Sequence, residues 1–484
     1  MSILDKFLNN GNRKIRNLAI YGITVAVILI YSGAIIFWHI YTPDYKLYIQ
    51  TPGADNRPQG TARTINDVLV GEFFMRYGDE NTSLQGKWTC FRGSDFSNIV
   101  RTADKISASQ NDYPVEWNVK TGEGHAAPTI FNGKVYVLDY DESLNSDALR
   151  CFSLETGKEL WRRWYRVPMK RNHGFSRTAP VINENHVITV GPQGHVMCCD
   201  PVTGSMKWSL DLQKQFNTEV PFWYSGQCPR IDGNTLVLAP AGEKVLLMGI
   251  DCNSGETLWQ TPNSLNYKMS HSSITPMVLN GKKTYIYAGI GGVCGVSAEK
   301  NDVGALLWHT DRWKPSVIAP SPLQLSQNNI FMVAGYGAGG ALLNVSNSGG
   351  NWKVSVKEQY KPNEGMSSEQ QTPILFKNML ISIMPKDGGT LRGRLVCHNP
   401  QDLHKPVWSS EERFGLGPYI VINNYLFVFN DDGDLYVYEI MQNNMKLLKK
   451  QHVIDGVDAW GPMAYADGRL VVRDAHHVSC LKID

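Results

Sequence analysis

The sequence predicts an all-β protein, an eight-bladed β-propeller with four-stranded antiparallel blades, preceded by one transmembrane α-helix. Three observations support this fold class. A tryptophan recurs at a nearly constant spacing, a proline-centred pattern recurs eight times, and a long apolar stretch lies near the N-terminus. Because a repeat of roughly 40–50 residues is typical of one propeller blade, the first two observations predict the ring.

The apolar stretch runs from Leu18 to Trp38, 21 residues without a charged side chain. At about 1.5 Å per residue, a helix of this length spans a hydrocarbon core of roughly 30 Å. A cleavable signal peptide has a shorter apolar region and a small-residue cleavage site, and no such site follows Ser32, so we expect a retained anchor. The alternative is a buried core helix. Basic residues precede the stretch, which predicts a cytoplasmic N-terminus.

These features divide the chain into a cytoplasmic N-terminus (1–17), a transmembrane helix (18–40), a linker (41–87) and the propeller (88–484). In the linker, apolar residues between Thr64 and Gly78 are spaced as on one helix face, and Asp67 is placed to form a capping box with Thr64. This pattern predicts a short amphipathic helix that packs on the propeller or the bilayer, or binds a partner. The predicted location is the bacterial inner membrane, with the propeller periplasmic or otherwise extracytoplasmic.

The tryptophan repeat is clearest in CFSLETGKELW, CCDPVTGSMKW and GIDCNSGETLW, which end at Trp161, Trp208 and Trp259. Looser copies end at Trp308, Trp352 and Trp408. The spacings between successive tryptophans are 47, 51, 49, 44 and 56 residues. Each copy predicts a glycine turn followed by an outer strand that carries the tryptophan.

The second repeat places a proline after small residues and before a turn and a β-branched run. It occurs at eight positions: Pro128, Pro180, Pro229, Pro276, Pro320, Pro373, Pro418 and Pro462. The last unit ends without a tryptophan strand, whereas an unmatched strand around Trp117 precedes the first unit. We therefore expect Trp117 to complete the last blade and close the ring. The unit from Phe414 to Val453 lacks the tryptophan and has Leu447 or Leu448 at the expected place.

The Thr-Gly turns that precede Trp161 and Trp208 resemble the pyrroloquinoline-quinone repeat, A-x-D-x-x-T-G-x-x-x-W. Quinoprotein alcohol dehydrogenases share this repeat with the propeller lipoprotein that assists outer-membrane protein assembly. The resemblance extends from Trp88 to Asp484 and implies a propeller. It also implies that tryptophans dock neighbouring blades, here Trp117, Trp161, Trp208, Trp259, Trp308, Trp352 and Trp408.

In this four-strand arrangement, the link from each outer strand to the next inner strand lies around one mouth of the central channel. Polar and aromatic side chains that converge in one concavity are typical of a binding site. The candidates for ligand or partner binding are Arg171, His173, Arg177, Trp223, Tyr224, Gln227, His271, Glu369, Gln370, Asp458 and Trp460. The alternative is that these side chains fill the channel and satisfy strand ends.

The sequence favours a non-enzymatic protein-docking or ligand-recognition module of the cell envelope, which would contact other envelope proteins. The alternative is a membrane-bound quinoprotein oxidoreductase that uses pyrroloquinoline quinone and Ca²⁺ on alcohols or sugars. That enzyme needs oxygen ligands for Ca²⁺, a carboxylate base and flat stacking side chains, and only Glu369 and Asp458 offer carboxylates near the mouth. We therefore expect no cofactor and no metal site.

A formal net charge of +2 gives no electrostatic reason to expect nucleic acid. The nine cysteines include the adjacent pair Cys198 and Cys199. Cysteines recur at equivalent places in separate blades, which indicates packing positions more than disulfides. Because nine is an odd number, at least one thiol is unpaired within the chain.

Overall fold

The computed structural model describes residues 13–41, 68–107 and 112–484. The chain forms two units, Met1–Leu47 and Tyr48–Asp484. The first contains helix α1, Arg13–Tyr41. Its segment Asn17–Ile40 is long and apolar enough to cross a membrane, by length and composition alone.

The second unit contains eight sheets, one for each blade, and the four strands of each blade pair antiparallel. Four strands precede the first complete blade: β1 (Phe73–Arg76), β2 (Lys87–Trp88), β3 (Ile99–Val100) and β4 (Val115–Lys120). Blade 1 consists of β5 (Thr129–Phe131), β6 (Lys134–Asp141), β7 (Ser146–Ser153) and β8 (Glu159–Arg166). Blade 2 consists of β9 (Val181–Ile182), β10 (Val187–Val190), β11 (His195–Cys199) and β12 (Met206–Asp211). The short helix α2 (Leu212–Phe216) follows it.

The next three blades repeat this plan. Blade 3 consists of β13 (Arg230–Asp232), β14 (Thr235–Leu238), β15 (Val245–Asp251) and β16 (Thr257–Pro262). Blade 4 consists of β17 (Thr275–Leu279), β18 (Lys282–Gly289), β19 (Gly292–Ser297) and β20 (Leu306–Thr310). Blade 5 consists of β21 (Leu323–Gln324), β22 (Asn329–Ala334), β23 (Gly339–Ser348) and β24 (Asn351–Tyr360).

The last three blades complete the ring. Blade 6 consists of β25 (Ile374–Phe376), β26 (Met379–Ile383), a short 3₁₀ turn (Gly389–Leu391), β27 (Arg394–Asn399) and β28 (Asp402–Arg413). Blade 7 consists of β29 (Tyr419–Ile422), β30 (Tyr425–Phe429), β31 (Asp434–Met441) and β32 (Asn444–His452). Blade 8 consists of β33 (Ala464–Ala466), β34 (Arg469–Arg473) and β35 (His477–Lys482), and its outer strand is β4.

The ring closes as the sequence predicts. Strand β4 pairs antiparallel with β35, and Trp117 stands opposite Cys480. The Trp117 indole donates a hydrogen bond of 2.8 Å to the carbonyl of Leu154 in blade 1. The N- and C-terminal ends of the propeller are therefore joined in one sheet, and the eight-bladed prediction is confirmed.

Tryptophan from one blade packs on the turn glycine of the next blade. A Cβ added to Gly204, which has a φ of +71°, would lie 2.8 Å from the Trp161 ring. Equivalent contacts join three further pairs: Trp117 with Gly157, Trp208 with Gly255, and Trp259 with Gly304. These positions require glycine because the approaching indole occupies the space of a side chain and the backbone is left-handed.

Two blades depart from the predicted tryptophan register. In six blades the tryptophan lies directly before a β-bulge, as where Trp208 pairs with Cys198. In blade 5, Glu358 occupies that position, and Trp352 pairs with Asn347 near the tip of a longer hairpin. Trp352 therefore lies outside the register that the other tryptophans share, because this hairpin extends beyond the common strand length, and its docking role stays a prediction.

Blade 7 has Lys449 at the equivalent position, not Leu447 or Leu448, because Lys449 pairs with Val437 directly before the bulge. The Lys449 ammonium lies 3.6 Å from the centre of the Tyr113 ring. A charged side chain over an aromatic ring thus replaces the indole in this blade.

The predicted helix over Thr64–Gly78 is wrong for the part that the structure describes, and residues 64–67 lie outside the described residues. Strand β1 pairs antiparallel with β8, and the rings of Phe73 and Trp164 stack with centres 5.5 Å apart. The edge of β8 offers unpaired backbone groups, so hydrogen bonding along that edge outweighs the weak helical pattern.

The segment 88–100, which we call the channel segment, crosses the propeller along its inner strands. Trp88 pairs with Ile130 of blade 1, and Thr89 accepts a hydrogen bond from Ile182 of blade 2. At the other end, β3 runs parallel to β29 of blade 7. Because one short segment contacts inner strands of blades 1, 2 and 7, it fills part of the central channel.

Arg92 holds the channel segment to blade 6. Its buried guanidinium donates hydrogen bonds to the carbonyls of Thr372 (2.8 Å) and Pro373 (3.2 Å). It also donates to the carbonyls of Phe96 (2.9 Å) and Ser97 (3.1 Å) within the segment. Burial lowers the pKa of Arg92 to about 10.

All nine cysteines are buried free thiols. Cys198 and Cys199 lie on opposite faces of β11, in two different hydrophobic clusters. They are packing residues on either side of blade 2, which is the interpretation that the sequence favoured.

Candidate functional site

One pocket lies at a mouth of the central channel, with a cavity volume of about 240 Å³. Phe91 of the channel segment is part of its lining, so the segment that crosses the channel also contributes to the pocket. Nine of the predicted site residues line it: Arg171, His173, Arg177, Trp223, His271, Glu369, Gln370, Asp458 and Trp460. The structure thus brings these residues together, and their role in binding stays a prediction.

The other two candidates, Tyr224 and Gln227, do not line this pocket. The Tyr224 hydroxyl donates to the carbonyl of Lys170, and its ring stacks on Phe175. The buried Gln227 amide exchanges hydrogen bonds with the backbone of Ala239, at 3.2 and 2.9 Å. Tyr224 thus fastens its link to the preceding link, and Gln227 fastens it to the end of β14, which is the structural role that the sequence left open.

Aromatic rings form one wall of the pocket around Trp223. The centre of the Trp223 ring lies 5.3 Å from that of Tyr336 and 6.3 Å from that of His271, in stacked arrangements. His173 meets Trp223 edge-on at 5.7 Å. Burial, and then the positive charge of Arg177, lower the pKa of His271 to about 4. The His271 ring in this wall is therefore uncharged at neutral pH.

On another side of the pocket, His125 stacks on Trp460, with ring centres 3.6 Å apart. Neither ring nitrogen of His125 has a hydrogen-bond partner among the described residues. Burial, followed by Arg473 and Arg177, holds the pKa of His125 well below its usual value. The Arg177 guanidinium lies 5.3 Å from the centre of the Trp460 ring.

Two ion pairs neutralise most of the remaining charge. The Arg171 Nε lies 2.9 Å from both carboxylate oxygens of the buried Glu123. The Lys386 Nζ lies 3.3 Å from Glu369 Oε1 and 4.4 Å from the centre of the Tyr336 ring. Arg171 and Lys386 are more than half exposed, so these pairs define the rim of the pocket more than they stabilise the fold.

Sequence reasoning missed His125, Tyr336, Glu123 and Phe91. His125 begins the HAAP form of the proline repeat, so its position in the repeat indicates that it lies at the channel mouth. Tyr336 lies between two strands of blade 5, outside the links that the repeat places at the mouth. Phe91 reaches the pocket only because the channel segment folds inward, and no local pattern indicates that path.

The donor set does not fit a calcium and quinone centre. Within the described ranges, no group of three or more His, Cys, Asp or Glu side chains is arranged to hold a metal ion. Glu369, one of the two predicted carboxylates, already pairs with Lys386. Trp460 is already stacked by His125, and Trp223 by Tyr336 and His271. One of the two carboxylates and part of the indole surface that such a centre needs are therefore engaged within the protein.

Solved structures that share this fold include an assembly factor and a dehydrogenase. BamB from Moraxella catarrhalis is 12% identical, with a TM-score of 0.51, and the match covers 77% of this chain and 100% of that one. A europium-containing methanol dehydrogenase is 11% identical, with a TM-score of 0.58, and the match covers 81% of this chain and 90% of that one. At this identity the likeness shows the fold alone. A search of curated proteins found no match.

A family model for PQQ_2, described as outer membrane protein assembly factor BamB, matches residues 145–388, about half of the chain. The matched region begins in blade 1 and ends in blade 6, and it includes the three clearest tryptophan repeats. Together with the eight four-stranded blades, this match shows that the chain belongs to the pyrroloquinoline-quinone-repeat propeller family described as outer membrane protein assembly factor BamB.

Proposed function

We propose that this protein is a membrane-anchored docking or ligand-recognition module of the cell envelope, a non-enzymatic subunit of a complex of envelope proteins. Helix α1 anchors it in the bacterial inner membrane with the N-terminus in the cytoplasm and the propeller on the periplasmic side. The apolar length of Asn17–Ile40 and the basic residues before it support this arrangement.

The observation that carries the proposal is that all eight links at this mouth contribute to one pocket. In ring order they supply His125, Arg171, Trp223, His271, Val317, Glu369, Leu416 and Trp460. The pocket is therefore built by the whole ring and not by one or two blades. Its lining combines aromatic rings with a few polar groups, which is the composition of a recognition site.

An exposed apolar surface adjoins the pocket and favours a protein partner. Phe222 is 81% exposed and precedes Trp223 on the link between blades 2 and 3. A neighbouring groove, lined among others by Pro221, Ile290 and Val317, continues this surface. Large exposed aromatic side chains rimmed by polar groups are typical of interaction sites, and aromatic residues are enriched where binding energy concentrates.

Site-specific photocrosslinking in intact cells tests the proposal. A benzophenone amino acid at Phe222 is expected to yield a discrete crosslinked product with an envelope protein. The matched control is Leu258, which is also exposed but lies on the outer strand β16 of blade 3. The same product from both positions, or none from Phe222, would count against docking at the mouth.

A further inference from the structure

Arg177 is the one pocket cation without a carboxylate partner in the described part of the chain. Its Nη2 donates hydrogen bonds to the backbone carbonyls of Asn172 (3.3 Å) and His173. Its Nε is buried and has no hydrogen-bond partner among the described residues. A buried N–H group without a partner is costly, so a ligand oxygen that reaches this donor would be stabilised.

Among the described residues, no carboxylate forms an ion pair with Arg177, and Glu123, whose charge favours the charged guanidinium, is itself paired with Arg171. Arg171 and Lys386 are paired with Glu123 and Glu369. Asp458 lines the pocket but is exposed to solvent and forms no ion pair with Arg177. Burial lowers the pKa of Arg177 to about 10, so the guanidinium remains charged at neutral pH and would gain from an anion.

The chemistry of the pocket selects among anions. A charged guanidinium N–H forms a strong hydrogen bond to a carboxylate oxygen, and the Nε–H of Arg177 is the donor without a partner. Three acidic side chains, Glu123, Glu369 and Asp458, lie in or beside the pocket, and they repel a doubly charged phosphate more than a singly charged carboxylate. Trp223 and Tyr336 offer apolar contact to the groups next to that carboxylate.

We propose that the pocket binds a carboxylate carried by a peptide segment of the docked partner, and that Arg177 is its principal ligand. This inference rests on the proposed docking function and specifies the chemistry of that same site. The peptide carboxylate comes from an acidic side chain or from a C-terminus, and a neighbouring apolar side chain packs on the aromatic wall.

Three dipeptide probes distinguish the sources of the carboxylate: Ac-Glu-Trp-NH₂, Ac-Gln-Trp-OH and the uncharged Ac-Gln-Trp-NH₂. Binding is measured by calorimetry with the full chain in detergent at neutral pH and low salt. We expect one of the two acidic probes to bind at least tenfold more tightly than the uncharged probe. Inorganic phosphate at the same concentration should compete weakly.

The Arg177→Gln variant is expected to lose this preference, and Arg177→Lys, which keeps the charge without the Nε donor, to retain only part of it. Arg312→Gln is the matched control because Arg312 is an exposed arginine on the link between blades 4 and 5 and does not line the pocket. Equal binding of all three probes, a preference that survives Arg177→Gln, or stronger competition by phosphate would overturn the inference.

These outcomes separate the two proposals. A crosslinked partner at Phe222 without a carboxylate preference would overturn the anion site and leave docking intact. A carboxylate preference without a crosslink would support the anion site while removing the protein partner.

Discussion

Replacing Arg92 with methionine is expected to lower the free energy of unfolding by about 3–5 kcal/mol, because four carbonyl groups lose a buried charged donor. Two of these carbonyls, on Thr372 and Pro373, belong to blade 6, about 280 residues away in the sequence. The contact therefore joins the channel segment to the far side of the ring. Urea denaturation of the full chain in detergent measures the change as a shift in the transition midpoint.

The control for this experiment is Arg101→Met. Arg101 follows the channel segment directly and is exposed, so its replacement is expected to change stability by no more than about 0.5 kcal/mol. Similar midpoints for Arg92→Met and Arg101→Met would show that the channel segment contributes little to the closure of the ring.

Replacing Trp161 with alanine is expected to cost about 3–5 kcal/mol, whereas Trp352→Ala should cost about 1 kcal/mol or less. Trp161 is 1% exposed and packs on the turn glycine of blade 2, Gly204. Trp352 is only partly buried and lies near the tip of the blade 5 hairpin. Urea midpoints of the two variants, measured side by side, compare a docking tryptophan with one outside the docking register.

Equal losses from Trp161→Ala and Trp352→Ala would contradict this register. In that case Trp352 would hold blade 5 as firmly as Trp161 holds blade 1, as its place in the sequence repeat implied. Glu358→Gln is a useful companion because Glu358 occupies the docking position of blade 5 and pairs with His404 at the surface. Its replacement is expected to have a small effect.

Most of the propeller could be predicted from sequence because each blade uses the same local chemistry. Glycine turns such as Gly204 accept an indole from the previous blade, so turn and tryptophan recur together. The closing strand around Trp117 could be predicted because the last unit lacked its outer strand. Trp352 matches the repeat spacing but lies outside the shared register, because the bulge that sets the register depends on hairpin length.

The channel segment could not be predicted, because its conformation depends on distant contacts. Arg92, Phe96 and Asn98 all have positive φ values, between 62° and 64°, without being glycine. Such conformations are costly for ordinary side chains and persist where surrounding contacts hold them. Asn98, for instance, donates a 2.5 Å hydrogen bond to the carbonyl of Tyr419 in blade 7. No local pattern shows contacts between residues so far apart.

The pocket could be predicted in outline and not in detail. The order of strands in each repeat places the links between blades at one mouth of the channel. This placement is sufficient to bring Arg171, Trp223 and Trp460 together. Which cations are paired depends on side-chain geometry. Glu123, which neutralises Arg171, precedes the first proline repeat and carries no signal of its own. Only the positions of these side chains show that Arg177 forms no ion pair with a described carboxylate.

The central claim, that the channel mouth is a partner-binding surface, is tested most directly by the affinity of the protein crosslinked at Phe222. The partner identified by that crosslink is purified and titrated into the full propeller chain in detergent. The same titration is repeated with the Trp223→Ala and Leu258→Ala variants of the propeller chain. We predict at least a tenfold weaker affinity for Trp223→Ala, because its indole organises the aromatic wall, and an unchanged affinity for Leu258→Ala. Equal affinity for the wild-type chain and Trp223→Ala would contradict the claim.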